Sequence, residues 1–139
     1  MTGKCFVDTN VLLYSFDRRE PQKCAAACAL IRGLESDANL VVSSQVLQEF
    51  YVASTHPRKL ALPAADADNV VQRLAAGTVV HVTPPMVVSA IHRHRADVLS
   101  FWDALIIESA IAGGCTTLYT EDLNNGQMYG PLRVVNPFD

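Results

Sequence analysis

The sequence predicts an α/β domain with a mainly parallel sheet. Short β-rich apolar runs alternate with longer helical stretches along the chain, the pattern of strands joined by crossover helices. The 139 residues are half apolar, enough for one sizeable core and too few for two ordinary domains, so residues 1–139 are expected to form one domain. The first strand is Cys5–Val7, closed by Asp8, and a helix follows over about 10–16. An alanine-rich helix spans about 22–35, and Leu40–Val42 forms the second strand. Ser43 or Ser44 can cap a helix over 44–55, on which Val46, Leu47, Phe50, Tyr51 and Ala53 make an apolar stripe. A helix over about 64–76 leads to a strand at Val79–Val82. Thr83 before Pro84-Pro85 suits the start of the helix at 85–96, and Gly113-Gly114 ends the one at 101–112. Thr117–Tyr119 and Arg133–Val135 complete five strands.

Composition narrows the function classes. With 11 basic and 14 acidic residues the formal charge is −3, which argues against holding nucleic acid through a broad basic surface. Four of those acids are special. Asp8, Glu49, Asp103 and Asp122 each interrupt or end an apolar segment, where a carboxylate is expensive to desolvate without compensation. A divalent metal compensates several at once, and setting these four aside leaves 10 acidic residues against 11 basic ones. A loaded site therefore need not repel a polyanion. Cys5, Cys24, Cys28 and Cys115 lack paired zinc-site spacing and are expected to be small buried hydrophobes; Cys24 and Cys28 share a helix face but have no evident partner pair. His56, His81, His92 and His94 form no motif. No basic leader with an apolar core opens the sequence and no apolar run reaches the ~18 residues of a membrane span, so a reduced, cytoplasmic protein without a membrane is expected.

In open α/β sheets ligands gather beyond the carboxyl ends of strands, where strand order reverses. Asp8 follows the first strand and Asp122 lies just past the fourth. As neighbours about 4.8 Å apart, those strands would bring both carboxylates to one ion. Each acid also has a structural alternative. Asp8 can cap the helix that follows it, Asp122 can be a solvated residue of a turn-rich segment, and Glu49 can be a flanking charge at the edge of its stripe. Asp103 carries the strongest single signal, because its helix is apolar nearly all round and should bury it beside Ile106, Ile107 and Ala110. It can also be the third-position acid of a capping box begun by Ser100.

The segments Phe6-Val7-Asp8-Thr9-Asn10-Val11-Leu12, Ser43–Tyr51 with Glu49, Ser100-Phe101-Trp102-Asp103-Ala104-Leu105-Ile106 and Leu118-Tyr119-Thr120-Glu121-Asp122-Leu123 closely resemble the PIN-domain nucleases, in the branch of VapC-type toxins. The likeness runs from Phe6 to Phe138, with all four acids in the family's order. It implies an α/β/α sandwich on a parallel sheet of about five strands. It further implies a Mg²⁺- or Mn²⁺-dependent endoribonuclease, usually a homodimer, restrained by a VapB-type antitoxin. Carried over by position, Asp8, Glu49, Asp103 and Asp122 match the catalytic and metal-binding quartet, with Asp8 and Asp103 matching direct ligands, while Thr9, Asn10 and Thr120 match supporting polar positions. Where some members have a further acid after the last Asp, this chain has Asn124 and Asn125.

Hard oxygen donors favour Mg²⁺ or Mn²⁺ over zinc. Hydrolysis by an activated water does not use the ribose 2′-hydroxyl, so products should carry 5′-phosphates. Arg18, Arg19 and Lys23, and separately Arg58 and Lys59, are candidate RNA contacts. The alternative class is a non-catalytic PIN-like module that binds RNA or protein. Aspartate phosphatases and receiver domains fit poorly, because Asp8-Thr9-Asn10 lacks the second acid of a D-x-D motif and no later Lys completes a receiver site.

Overall fold

The computed structural model describes residues 3–139. Along the chain run β1 (Cys5–Val7), α1 (Thr9–Tyr14), α2 (Pro21–Ser36), β2 (Leu40–Ser43), α3 (Ser44–Thr55) and α4 (Ala64–Ala75). They are followed by β3 (Thr78–Val80), α5 (Pro84–Ala96), α6 (Phe101–Ala112), β4 (Thr117–Tyr119), β5 (Met128–Tyr129) and β6 (Leu132–Val135). The sheet order is β3-β2-β1-β4-β6-β5, with every pairing parallel except that of β5 with β6. Helices flank this sheet. α6 contacts β2, β3, β4 and β6, α5 packs on α6, and α3 packs on α1 and α4.

The central strands are apolar on both faces, as covered parallel strands must be. Cys5, Phe6 and Val7 of β1 are fully buried, and with Leu118, Val134, Phe50 and Ile107 they belong to the main core. Local chemistry sets the helix ends. Ser43 caps α3 by accepting from the Val46 amide at 3.3 Å, and Ser100 caps α6 by accepting from the Asp103 amide at 3.1 Å. A Cβ on Gly113 would lie 2.8 Å from Val80 Cγ2, so α6 ends against β3 only because that position is glycine.

Two departures from the sequence expectation have physical reasons. The third strand stops at Val80 rather than Val82, because the Val82 amide donates to Ser44 Oγ at 3.1 Å. A sixth strand, β5, pairs antiparallel with β6 across Gly130, whose φ of 58° suits the tight reversal. Two residues are too few to show a period. Cys5 and Cys115 are buried, whereas Cys24 and Cys28 are half-buried with their Sγ atoms on the Ser15 carbonyl at 3.5 and 3.2 Å; all four are free thiols. Burial pushes the Cys115 thiol up to about 12, which keeps it unreactive. The four histidines are exposed. Among the described residues no helix is long and apolar enough to cross a membrane.

Candidate functional site

The parallel pairing of Val7 with Tyr119 puts the ends of β1 and β4 side by side, at the point where the chain leaves β1 for opposite edges of the sheet. The Asp8 amide extends that ladder by donating to the Tyr119 carbonyl at 3.0 Å. Asp8 and Asp122 thus approach one another from neighbouring strand ends. Glu49 arrives from α3, which β2 feeds directly, and Asp103 from the first turn of α6. All four carboxylates line one cleft of about 600 Å³, with Thr9, Asn10, Gln45 and Trp102 among its other walls.

The acids sit at graded depth. Asp8 is buried, Glu49 and Asp103 are half-buried, and Asp122 is exposed. The sequence expectation that α6 would largely bury Asp103 is therefore only partly met: Asp103 is half-buried and its neighbour Trp102 is exposed. Asp8 caps α1 and lines the cleft at once: Oδ1 accepts from the Thr9 amide at 2.7 Å, and Oδ2 accepts from Thr120 Oγ1 at 2.9 Å. Thr120, fully buried, also accepts from Asn10 Nδ2 and from the Asp122 amide, both at 3.2 Å. Asn10 Nδ2 reaches Asp122 Oδ2 at 2.9 Å. On the other side, Glu49 Oε1 accepts from Thr9 Oγ1 at 2.9 Å and Oε2 from Gln45 Nε2 at 3.2 Å. Short donors therefore orient Asp8, Glu49 and Asp122.

Electrostatically the cleft is unbalanced. Burial drives the Asp8 carboxyl from 3.8 up to about 7; bonds from Thr120 and Thr9 oppose the rise, and the Asp122 and Glu49 charges add to it. Burial also raises the Asp103 carboxyl, against the pull of Ser100, and the same two charges push it further. None of the ion pairs among the described residues involves any of the four. Among the described residues no three acidic, histidine or cysteine side chains already converge as a ligand cluster. The donor set nevertheless fits a hard divalent cation with its water shell. The cleft presents carboxylate oxygens and no thiol, and two buried acceptors beside them, Asn10 Oδ1 and Gln45 Oε1, have no partner. Waters around a cation are donors of the kind those two oxygens lack.

The predicted basic contacts separate. Lys59 lines the cleft, whereas Arg58 does not and offers its amide to His56 Nδ1 at 3.0 Å. Arg19 is held by Asp17 through two bonds of 2.9 and 3.0 Å, and Lys23 by Glu121 at 3.0 Å. Arg18, Arg19 and Lys59 line an adjoining groove. Gln45, His56 and Trp102 also line the cleft without having been singled out by sequence reasoning. For Gln45 a signal existed, since it stands one helical turn before Glu49 on the same face.

Three solved structures share this architecture. A toxin-antitoxin complex from Klebsiella pneumoniae superposes with a TM-score of 0.67 at 18% identity, covering 96% of this chain and 98% of its own. VapC20 from Mycobacterium tuberculosis, a toxin that cleaves the sarcin-ricin loop, gives 0.63 at 21% identity over 86% of this chain and 92% of its own. VapBC2 from Rickettsia felis, bound to a DNA fragment from its promoter, gives 0.61 at 17% identity over 94% and 96%. At these identities the likeness concerns the fold. A search of curated proteins by sequence finds no match. The family model for the PIN domain matches residues 5–129, and the chain therefore belongs to the PIN domain family.

Proposed function

We propose that this protein is a metal-dependent endoribonuclease, the toxin member of a VapBC-type pair, which hydrolyses RNA phosphodiester bonds at the acidic cleft. The observation that carries the reading is the convergence of Asp8, Glu49, Asp103 and Asp122 in one cleft without a cationic side chain paired to any of them. The toxin-antitoxin complexes and the RNA-cleaving toxin among the structural neighbours support it. They likewise support a VapB-type protein as the cognate partner. The homodimeric state and cytoplasmic location belong to the same reading.

In this mechanism Asp8 and Asp103 would hold Mg²⁺ or Mn²⁺, with Glu49 and Asp122 completing the acidic surround. When bound, the ion supplies the charge that makes a water acidic at neutral pH and that offsets the negative charge growing on the phosphate. The chain's own residues do the positioning. Thr9 and Thr120 each fix one Asp8 oxygen, Asn10 fixes Asp122, and Thr9 with Gln45 fixes both oxygens of Glu49. Orientation set beforehand avoids reorganisation during reaction. Water attacks in line and the 3′-oxygen leaves, so the products carry 5′-phosphates.

The test is cleavage of total cellular RNA by the purified protein with Mn²⁺, with chelator, and with an identically prepared Asp103→Asn variant. Cleavage that needs the ion and Asp103, and that leaves 5′-phosphate ends, is the expected result. Equal cleavage by wild type and variant would assign the activity to a contaminant. Binding of RNA with no cleavage under any condition would favour the non-catalytic module.

A further inference from the structure

We infer that Trp102 is a stacking platform for an unpaired nucleobase of the substrate strand, which holds that strand against the acidic cleft. The inference rests on the ribonuclease reading and concerns how the strand is held. Trp102 immediately precedes Asp103 and lines the acidic cleft while remaining 59% exposed. An indole open to water at the wall of a polar cleft leaves much of its apolar surface uncovered. The Phe101 ring packs edge-on against it at 5.1 Å and 76°, and the Trp102 carbonyl accepts from Gln45 Nε2 at 3.4 Å.

That bond ties the platform to the chemistry. The same Gln45 Nε2 donates to Glu49 Oε2, so one amide group connects the Trp102 backbone with a carboxylate of the quartet. Gln45 is 5% exposed, and exchanging its amide oxygen and nitrogen would set an acceptor against two acceptors, so its orientation is determined. On α3, Val52 lines the same cleft and is 65% exposed. The cleft therefore combines carboxylates that would hold the ion with exposed apolar side chains from both helices. A nucleotide presents that combination, a charged phosphate with a flat apolar base one sugar away. Lys59, also lining the cleft, complements the backbone charge. A folded duplex has its bases stacked internally, so the platform selects single-stranded or looped RNA.

The experiment compares wild type with Trp102→Ala, Trp102→Phe and Trp102→Leu in steady-state RNA cleavage. It also follows the emission of Trp102, which is the sole tryptophan. The Ala variant should raise KM about 5- to 150-fold with kcat little changed, Phe should restore most of the loss, and Leu should not. Wild-type emission should be quenched by single-stranded RNA and not by an abasic ribose-phosphate polymer of equal length. Unchanged KM in all variants, or emission indifferent to RNA that is nevertheless cleaved, would overturn the platform and leave this face to a protein partner. A fall in kcat shared equally by the three variants would make the role structural. Failure of the wild type to cleave any RNA would remove the underlying reading, and is distinguished because it precedes any comparison of variants.

Discussion

Helix α6 carries two acids about a turn and a half apart, and their surroundings are opposite. Glu108 faces Arg93 of α5 at 3.0 Å, and Arg93 also reaches Asp97 at 3.7 Å and lies over the Tyr129 ring at 5.6 Å. Asp103, half-buried on the first turn, feels the Asp122 and Glu49 carboxylates and no cation. Glu108 is satisfied within the chain and holds two helices together. Asp103 has a hydrogen bond from Ser100 but none of the ion pairs among the described residues, so its charge is left for something from outside to balance. The difference separates an acid placed for structure from one placed for a ligand, although both lie on an apolar helix and look alike in isolation.

The sharpest way to break the comparison is to neutralise each acid in turn. Asp103→Asn should reduce RNA cleavage at least about 100-fold while leaving the melting temperature of the ion-free protein unchanged or higher. Glu108→Gln should leave cleavage within about twofold and lower stability by about 1 kcal/mol, since the pair is only half-buried and Asp97 still holds Arg93. Cleavage rates and chemical denaturation on both variants give the answer, and loss of activity in Glu108→Gln would remove the distinction.

A second contrast is in pH dependence. Asp8 has a folded-state carboxyl near 7 against an ordinary value of 3.8, so the ion-free folded protein binds more protons than the unfolded chain between those values. The associated stability is present below pH 4 and is lost as pH rises through 7, by roughly 4 kcal/mol for this group alone. Denaturation of chelated protein across that window should show the decline, saturating Mn²⁺ should reverse it, and Asp8→Asn should reduce both effects, leaving the smaller part that the raised Asp103 carboxyl contributes. A stability flat in pH, and unmoved by Mn²⁺, would mean that the acids are not mutually strained.

Smaller effects sharpen the wiring. Thr120→Val keeps the shape and removes the donor to Asp8 and the acceptor for Asn10, so cleavage should fall about 10- to 100-fold with folding largely preserved. Lys59→Glu should weaken RNA binding and flatten its salt dependence by about 0.7 in log–log slope or more, whereas Arg58→Glu, outside the cleft lining, should do less. Filter binding at several salt concentrations separates the two.

The strand-helix alternation and the places of the four acids along the chain are legible in the sequence because Asp8 and Asp122 follow strands while Glu49 edges and Asp103 starts an apolar helix, where an acid is conspicuous. The adjacency of β1 and β4, conditional on sequence grounds, is a fact of the sheet order. What sequence cannot convey is which donor meets which oxygen. Thr120 and Asn10 are close only because β4 and α1 meet at the strand ends, 110 residues apart in sequence. Arg19 looks free as a string of letters, yet Asp17 two residues earlier occupies its guanidinium. Trp102 stands on a helix that is apolar nearly all round, and nothing in that pattern distinguishes it from its buried neighbours, yet it is exposed.

The most direct measurement is Mn²⁺ binding, followed by the loss of the free-ion paramagnetic resonance signal, in wild type, Asp8→Asn, Asp103→Asn and Glu108→Gln. Binding by wild type and Glu108→Gln, with clear weakening in the other two, is the predicted result. Equal binding by all four proteins, or none by any, would contradict a cation site built from the unpaired acids of the cleft.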